Sequence, residues 1–280
     1  MKNILCIIVC LIAINVHSQN IEIGVSGALG MSSLNFISIN DDKPSFGIGN
    51  NFGLDVAFLL SKQLSFRTGV NFATYKSSVN IDRHNTRFEL IPLPPGLQEY
   101  SEKFHITADY SNYEELYEAF FIRIPIMIQY QTGSPFYLAA GVMVGLPLNS
   151  FSQINADQLV TKGYSDYTMQ EYENMPDHGF GSYPNIKAGS ELDLGISISA
   201  ALEAGFKWKI KNGMSLYTGI FADYGLNNIR KGDSMKESVI LNEEESTFTH
   251  NSILHSQSDG KALTDKVQPV MFGVRLRVSK

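Results

Sequence analysis

The sequence predicts an all-β protein, an eight-stranded antiparallel up-and-down transmembrane β-barrel with long extracellular loops. Three observations predict it. The chain opens on an export signal, eight later segments alternate apolar and polar residues with period two, and the links between those segments alternate short and long.

Met1-Lys2-Asn3, the apolar run Ile4 to Ile14 and the small-residue pattern Val16-His17-Ser18 before Gln19 form a secretory signal peptide, residues 1–18. Residues 19–280 then remain as a single barrel domain, with no Pro, Gly or Ser-rich linker dividing them. The apolar core of the signal is about eleven residues, whereas a spanning helix needs about twenty, so a retained transmembrane helix is the weaker alternative. A lipoprotein would close that run with its acylated cysteine, but Cys6 and Cys10 lie inside it. Both cysteines leave with the signal, so the mature chain can cross an oxidising compartment without forming disulfides. The 22 basic residues, less Lys2, face 28 acidic ones, a net charge of −7 with no basic run, which excludes nucleic acid as an expected partner.

The clearest strand is Leu192 to Ile210. Leu194, Ile196, Ile198, Ala200, Leu202, Ala204, Phe206 and Trp208 alternate there with Asp193, Gly195, Ser197, Ser199, Ala201, Glu203, Gly205 and Lys207. Phe120 to Tyr130 and Val270 to Val278 repeat the pattern, and five further segments cover roughly 21–30, 46–60, 63–75, 135–148 and 214–226. Each is long enough for a tilted membrane strand. Ser61-Lys62, Thr132-Gly133-Ser134 and Lys211-Asn212-Gly213 read as tight turns, with Asn-Gly supplying positive φ. The other links, 31–45, 76–118, 149–191 and 227–266, read as long external loops. Within the second, Tyr113 to Phe121 reads as a short helical turn with Glu114, Glu115 and Glu118 exposed.

An amphipathic strand does not state which face points outward, so a soluble lipocalin-like barrel is the competing architecture. The small residues decide between them. Gly24, Ser26, Ala28, Gly47, Gly49, Gly53, Gly69, Gly141, Gly145, Gly205, Gly219 and Gly273 all occupy the polar face. Glycine weakens a water-facing strand but fits the narrow interior of an eight-stranded barrel. The polar face is therefore placed inside. Its charged members, Glu22, Asp55, Glu203 and Asp223 with Arg67, Arg123, Lys207, Arg275 and Arg277, are expected to pair across the lumen and plug it. Tyr130, Trp208, Phe58, Phe136, Tyr224 and Phe72 are expected to form aromatic girdles in contact with outer-membrane lipid.

Phe121-Ile122-Arg123-Ile124-Pro125-Ile126-Met127-Ile128-Gln129-Tyr130, preceded by Phe52-Gly53-Leu54-Asp55-Val56 and Leu64-Ser65-Phe66-Arg67-Thr68-Gly69, resembles the PorT-like outer-membrane β-barrel family of Bacteroidota. The resemblance covers the strands of nearly the whole mature chain. It implies insertion into the outer membrane and, for some members, a part in protein secretion. Two departures accompany it. Arg277-Val278-Ser279-Lys280 lacks the terminal aromatic common in outer-membrane strands, and Pro125 removes a ladder donor, which predicts a bulge there.

The search for chemistry returns no catalytic, cofactor-binding or metal site. His84, His105, His178, His250 and His255 fall in loops without metal-ligand spacing, and Asp41-Asp42 and Glu243-Glu244-Glu245 match no calcium ladder. Ser77, His84 and Asp82 are the nearest residues to a hydrolytic triad. Tyr100, Tyr110, Tyr113, Tyr117, Tyr164, Tyr167, Tyr172 and Tyr183 enrich the loops, either as a recognition surface or as rings packing the loops on one another. The expectation is a non-enzymatic outer-membrane barrel that binds envelope or secretion-system proteins through loops 76–118, 149–191 and 227–266. A surface enzyme and a small-solute channel are the alternatives.

Overall fold

The structure, a computed structural model, describes residues 21–38, 41–90, 104–133, 135–231, 235–242 and 247–280. Residues 1–18, which the sequence reads as a signal peptide, Tyr100 and Glu243 to Glu245 lie outside the described residues. Fifteen strands occur among the described residues: β1 (Ile21–Asn35), β2 (Ser45–Leu59), β3 (Leu64–Leu90), β4 (Phe104–Gln131), β5 (Phe136–Ser165), β6 (Gln170–Tyr172), β7 (Gly181–Glu191), β8 (Ser197–Lys209), β9 (Ser215–Gly225), β10 (Lys236–Glu237), β11 (Val239–Asn242), β12 (Thr247–His250), β13 (Ser256–Ser258), β14 (Lys261–Ala262) and β15 (Gln268–Ser279).

Eight of them close a ring, in the order β4-β3-β2-β1-β15-β9-β8-β5, with β5 returning to pair with β4. Every pairing in the ring is antiparallel, and β1 meets β15 from Gly24↔Ser279 to Asn35↔Gln268, so no sheet edge is left in the membrane. This is the predicted eight-stranded barrel. At the β8–β9 turn Asn212 and Gly213 both adopt positive φ, as their sequence required.

Along the lower part of the wall the apolar face points out and the polar face in. Ile23, Val25, Leu29, Leu54, Val70, Ile126, Leu202, Ile220, Val274 and Leu276 are exposed, while Ser26, Asp55, Arg67, Arg123, Glu203 and Arg275 are buried. Inward glycines allow the wall to curve tightly. A Cβ on Gly273 would collide with the Leu29 carbonyl, and one on Gly30, its ladder partner, with the Phe272 carbonyl.

The links expected to be long loops are largely strand. Residues 76–118 contain the upper halves of β3 and β4, which pair without a register shift up to Leu90↔Phe104. The segment Tyr113 to Phe121 is therefore strand and not a helical turn. Residues 149–191 continue β5 to Ser165 and return as β6 and β7 along its flank. Residues 227–266 carry β10 to β14. The strand expected from Leu192 begins instead at Ser197.

The reason is an inversion of amphipathicity. In lower β4 the even positions Ile122, Ile124, Ile126 and Ile128 face outward, whereas above Phe121 it is the odd positions Ala119, Tyr117 and Tyr113 that are apolar and buried. Upper β3 matches, with Tyr75, Val79 and Ile81 inside and Lys76, Ser78 and Asn80 outside. The same strands thus meet lipid below and water above. Pro125 does not form a bulge. The β3–β4 ladder only skips opposite it, between Thr68↔Ile126 and Asn71↔Arg123, and the register shift falls at Phe120/Phe121 against β5.

Candidate functional site

Two polar layers occupy the barrel interior. The lower one is the expected ion-pair network. Arg67 Nη1 and Nη2 donate to the two carboxylate oxygens of Glu203 at 3.0 and 2.5 Å, and Arg275 Nη1 donates to Oε2 at 3.1 Å. Arg123 pairs with Asp223 at 2.7 Å, and Lys207 pairs with Glu22 at 2.6 Å. Arg277 donates to Gln129 at 2.8 Å and lies over the Tyr217 ring at 3.9 Å. Pairing across the lumen offsets the cost of removing these charges from water for all but Arg277, which reaches no carboxylate. Asp55, expected in the same network, forms no ion pair among the described residues. With Tyr137, Met127 and Met143 also buried between them, the lumen is filled by side chains.

The upper layer lies above the lipid-facing band and is built on tyrosines of β4. Tyr113 and Tyr117 donate to one oxygen of Glu115 at 2.7 and 3.0 Å, and the Ile253 N–H reaches the same oxygen at 3.1 Å. Glu115 is fully buried, and burial raises its pKa. The carboxylate in turn adds to the burial that pushes the phenols of Tyr113 and Tyr117 far up. His84 of β3 lies 4.9 Å from the Tyr113 ring, and neither of its ring nitrogens has a hydrogen-bond partner among the described residues. Burial lowers its pKa to about 4. His250 of β12 joins through Nδ1 to the Tyr110 hydroxyl at 2.7 Å, and burial likewise lowers it to about 4.

The structure does not bring together the residues nearest to a triad. Ser77 and His84 are both buried, but seven residues of extended strand, about 23 Å, separate them. Asp82 points to the opposite, exposed face, and the Ser77 hydroxyl accepts the Leu34 N–H at 3.2 Å. His105 pairs with Asp166 at 2.9 Å on the surface, and His255 accepts the Asp193 N–H through Nε2. Asp42 accepts the Ser38 hydroxyl, and no group of three or more metal-ligating side chains occurs among the described residues.

The tyrosines divide between buried and exposed positions. Tyr110, Tyr113 and Tyr117 are core, and Tyr183 packs edge-on against Phe248. At the tip between β5 and β6, by contrast, Tyr167 is 84 % and Met169 77 % exposed, with Tyr164 beside them. Below this tip, Lys162 pairs with Glu171 and Glu173. Glu115, which the sequence pattern places among exposed loop glutamates, is fully buried. Its signal was its spacing, since it shares a strand face with Tyr113 and Tyr117.

A family profile described as an outer membrane protein beta-barrel domain matches residues 17–231. No curated protein is similar to the chain in sequence. Among solved structures the chain is similar to the Neisserial surface protein A, at 10 % identity and TM-score 0.34, covering 93 % of this chain and 97 % of that one. It is also similar to Ail, the attachment invasion locus protein of Yersinia pestis, at 11 % identity and TM-score 0.29 over 92 % and 99 %. A third similar structure is the outer membrane protease OmpT from Escherichia coli, at 10 % identity and TM-score 0.35 over 94 % and 98 %.

Proposed function

The chain belongs to the outer membrane protein β-barrel domain family, and from that premise we propose that it is a non-enzymatic anchor whose external sheet binds a protein partner of the envelope. The protein sits in the outer membrane, with lipid against its apolar outer face. One observation carries the proposal. From Thr74, β3 continues for about 50 Å of strand to Leu90, and β4 and β5 continue beside it, beyond the strand length that spanning a bilayer requires.

That extension is a rigid sheet with a polar outer face, and it holds Tyr164, Tyr167 and Met169 away from both lipid and core. Large rings on a fixed support provide contact area at low ordering cost, and the flexible thioether adapts to the shape of the surface it meets. The resemblance to PorT-like barrels supports a partner belonging to a secretion or envelope complex. The filled lumen and the dispersal of Ser77, His84 and Asp82 favour binding over transport or catalysis.

The test is a pull-down from detergent-solubilised envelopes with the full chain and with a Tyr167→Ala, Met169→Ala variant, both checked for barrel folding. Deleting 149–191 would remove wall strands, whereas these two substitutions alter only the tip. At least one envelope protein is expected to be captured by the wild type and lost from the variant. Identical partner sets would remove the tip as the recognition surface.

A further inference from the structure

The chain between β9 and β15 folds back into the mouth of the barrel. Within it, Ser252-Ile253-Leu254-His255 forms a single 3-10 turn, capped by the Ser252 hydroxyl accepting the Leu254 N–H at 3.2 Å. Ser252 and Leu254 are fully buried and Ile253 almost so, in one cluster with Leu34, Phe36 and Tyr117.

The polar seat of this turn is Glu115, which accepts the Ile253 N–H together with the Tyr113 and Tyr117 hydroxyls on a single oxygen. The hydroxyls of Ser152 on β5 and of Ser252 also face the carboxyl. No lysine or arginine forms an ion pair with Glu115 among the described residues. Glu203, buried just as deeply in the barrel below, has two arginines.

The difference matters because a buried carboxylate without a counter-charge is far more costly when ionised than when protonated. Withdrawing the turn would admit water to Glu115 and lift that cost. Seating and protonation are therefore linked, and each favours the other.

We propose that segment 247–267 is a detachable plug of the external mouth and that Glu115 is its proton-sensitive latch. Withdrawal uncovers a tyrosine-lined chamber floored by the ion-paired barrel, so the plug governs access to that chamber and opens no pore.

Other titratable groups face the same seat: His84 from β3, Tyr110 from β4, His250 from β12 and His255 from the turn itself. The histidines act with the opposite sign to Glu115, because seating removes them from water and disfavours their protonated form. A variant of Glu115 alone separates the two contributions.

The experiment is hydrogen exchange on the full chain in detergent micelles from pH 4.5, the ordinary carboxylate value, to 8.5, corrected for intrinsic exchange. Measured against Glu115→Gln, which keeps the histidines, the wild-type amides of 252–256 are expected to lose about tenfold in protection as pH rises through that range, the change that one linked proton produces over about one pH unit. β8 and β9 are expected to be unchanged in both proteins. The same pH profile in wild type and variant would overturn the latch.

Ile253→Pro serves as a second variant. It removes the N–H that Glu115 receives at a first-turn position that tolerates proline. Plug amides that exchange faster at every pH, with the barrel intact, are the expected result. Wild-type protection in this variant would overturn the seat.

Discussion

Arg67 Nη2 lies 2.5 Å from Glu203 Oε2 across the lumen, and both side chains are 1 % exposed. Arg275 reaches the same oxygen, and the Tyr137 hydroxyl donates to the other at 2.7 Å. One carboxylate thus ties β3, β5 and β15 to β8. Glu203→Gln keeps the shape but leaves two buried guanidinium groups without their shared anion, which costs about 3–5 kcal/mol. A lower unfolding midpoint in micelles is the expected readout. An unchanged midpoint would mean that the network adds nothing to stability.

The paired glycines of β1 and β15 make a second prediction, about the curvature of the wall. Gly30 and Gly273 are ladder partners on the inner face, and a Cβ on either meets backbone on the neighbouring strand that has no room to yield. Gly273→Val should therefore destabilise the closed barrel by about 1–3 kcal/mol or more, the range for overpacking a tight interior. Val274→Ala, one residue on but exposed to lipid, is the control and should cost less. Equal effects on the midpoint would show that the inner wall is not tightly curved.

These two sites also show how much of the molecule was legible from the chain. Period two located every barrel strand, because a wall between lipid and a polar lumen imposes opposite demands on alternate residues. The inward positions of Arg67, Glu203 and Gly273 followed from that alternation together with the small residues that share the polar face. What could not be read was the continuation of β3 and β4 above the membrane. There the outer face meets water, so the pattern shifts by one residue, from Ile122 and Ile124 outside to Tyr117 and Tyr113 inside. A one-residue shift looks like a break in a strand when only one environment is assumed. Glu115 was misplaced for the same reason. The inward fold of Ile253 and Leu254 depends on contacts more than a hundred residues away along the chain, which no local pattern records.

His84 gives a prediction in pH. Its folded pKa of about 4 lies below the ordinary value of 6.5, so between these values the unfolded state binds the proton more readily. The stability it contributes is fully present above pH 6.5 and falls as pH drops toward 4, by roughly 3 kcal/mol at most. His84→Phe should remove that dependence from the external part, followed by exchange of β3 and β4 amides above Thr74. A wild-type acid profile in the variant would place the sensitivity elsewhere, His250 being the next group to replace.

The filled lumen predicts electrical silence. Arg67, Arg123, Tyr137 and Tyr217 are each no more than 2 % exposed in the barrel interior. A side-chain-filled eight-stranded barrel passes no ions, so planar bilayers containing the protein should show no steps above background. Regular, protein-dependent steps would contradict the packing described for the lower layer.

Trp208 makes the direct test of which face meets lipid. It is the chain's single tryptophan, stands three residues before Lys211 of the tight β8–β9 turn, and is 50 % exposed on the apolar face. Its indole N–H donates to the Thr218 hydroxyl at 3.0 Å, and its ring lies 5.9 Å from Phe206. This amphipathic placement suits the boundary between headgroups and acyl chains. In vesicles carrying brominated lipids, labels near the headgroup should quench its emission more strongly than labels at the bilayer centre. A barrel with its apolar residues turned inward would hold Trp208 away from every label, so fluorescence untouched by bromine at all depths would reverse the assigned orientation.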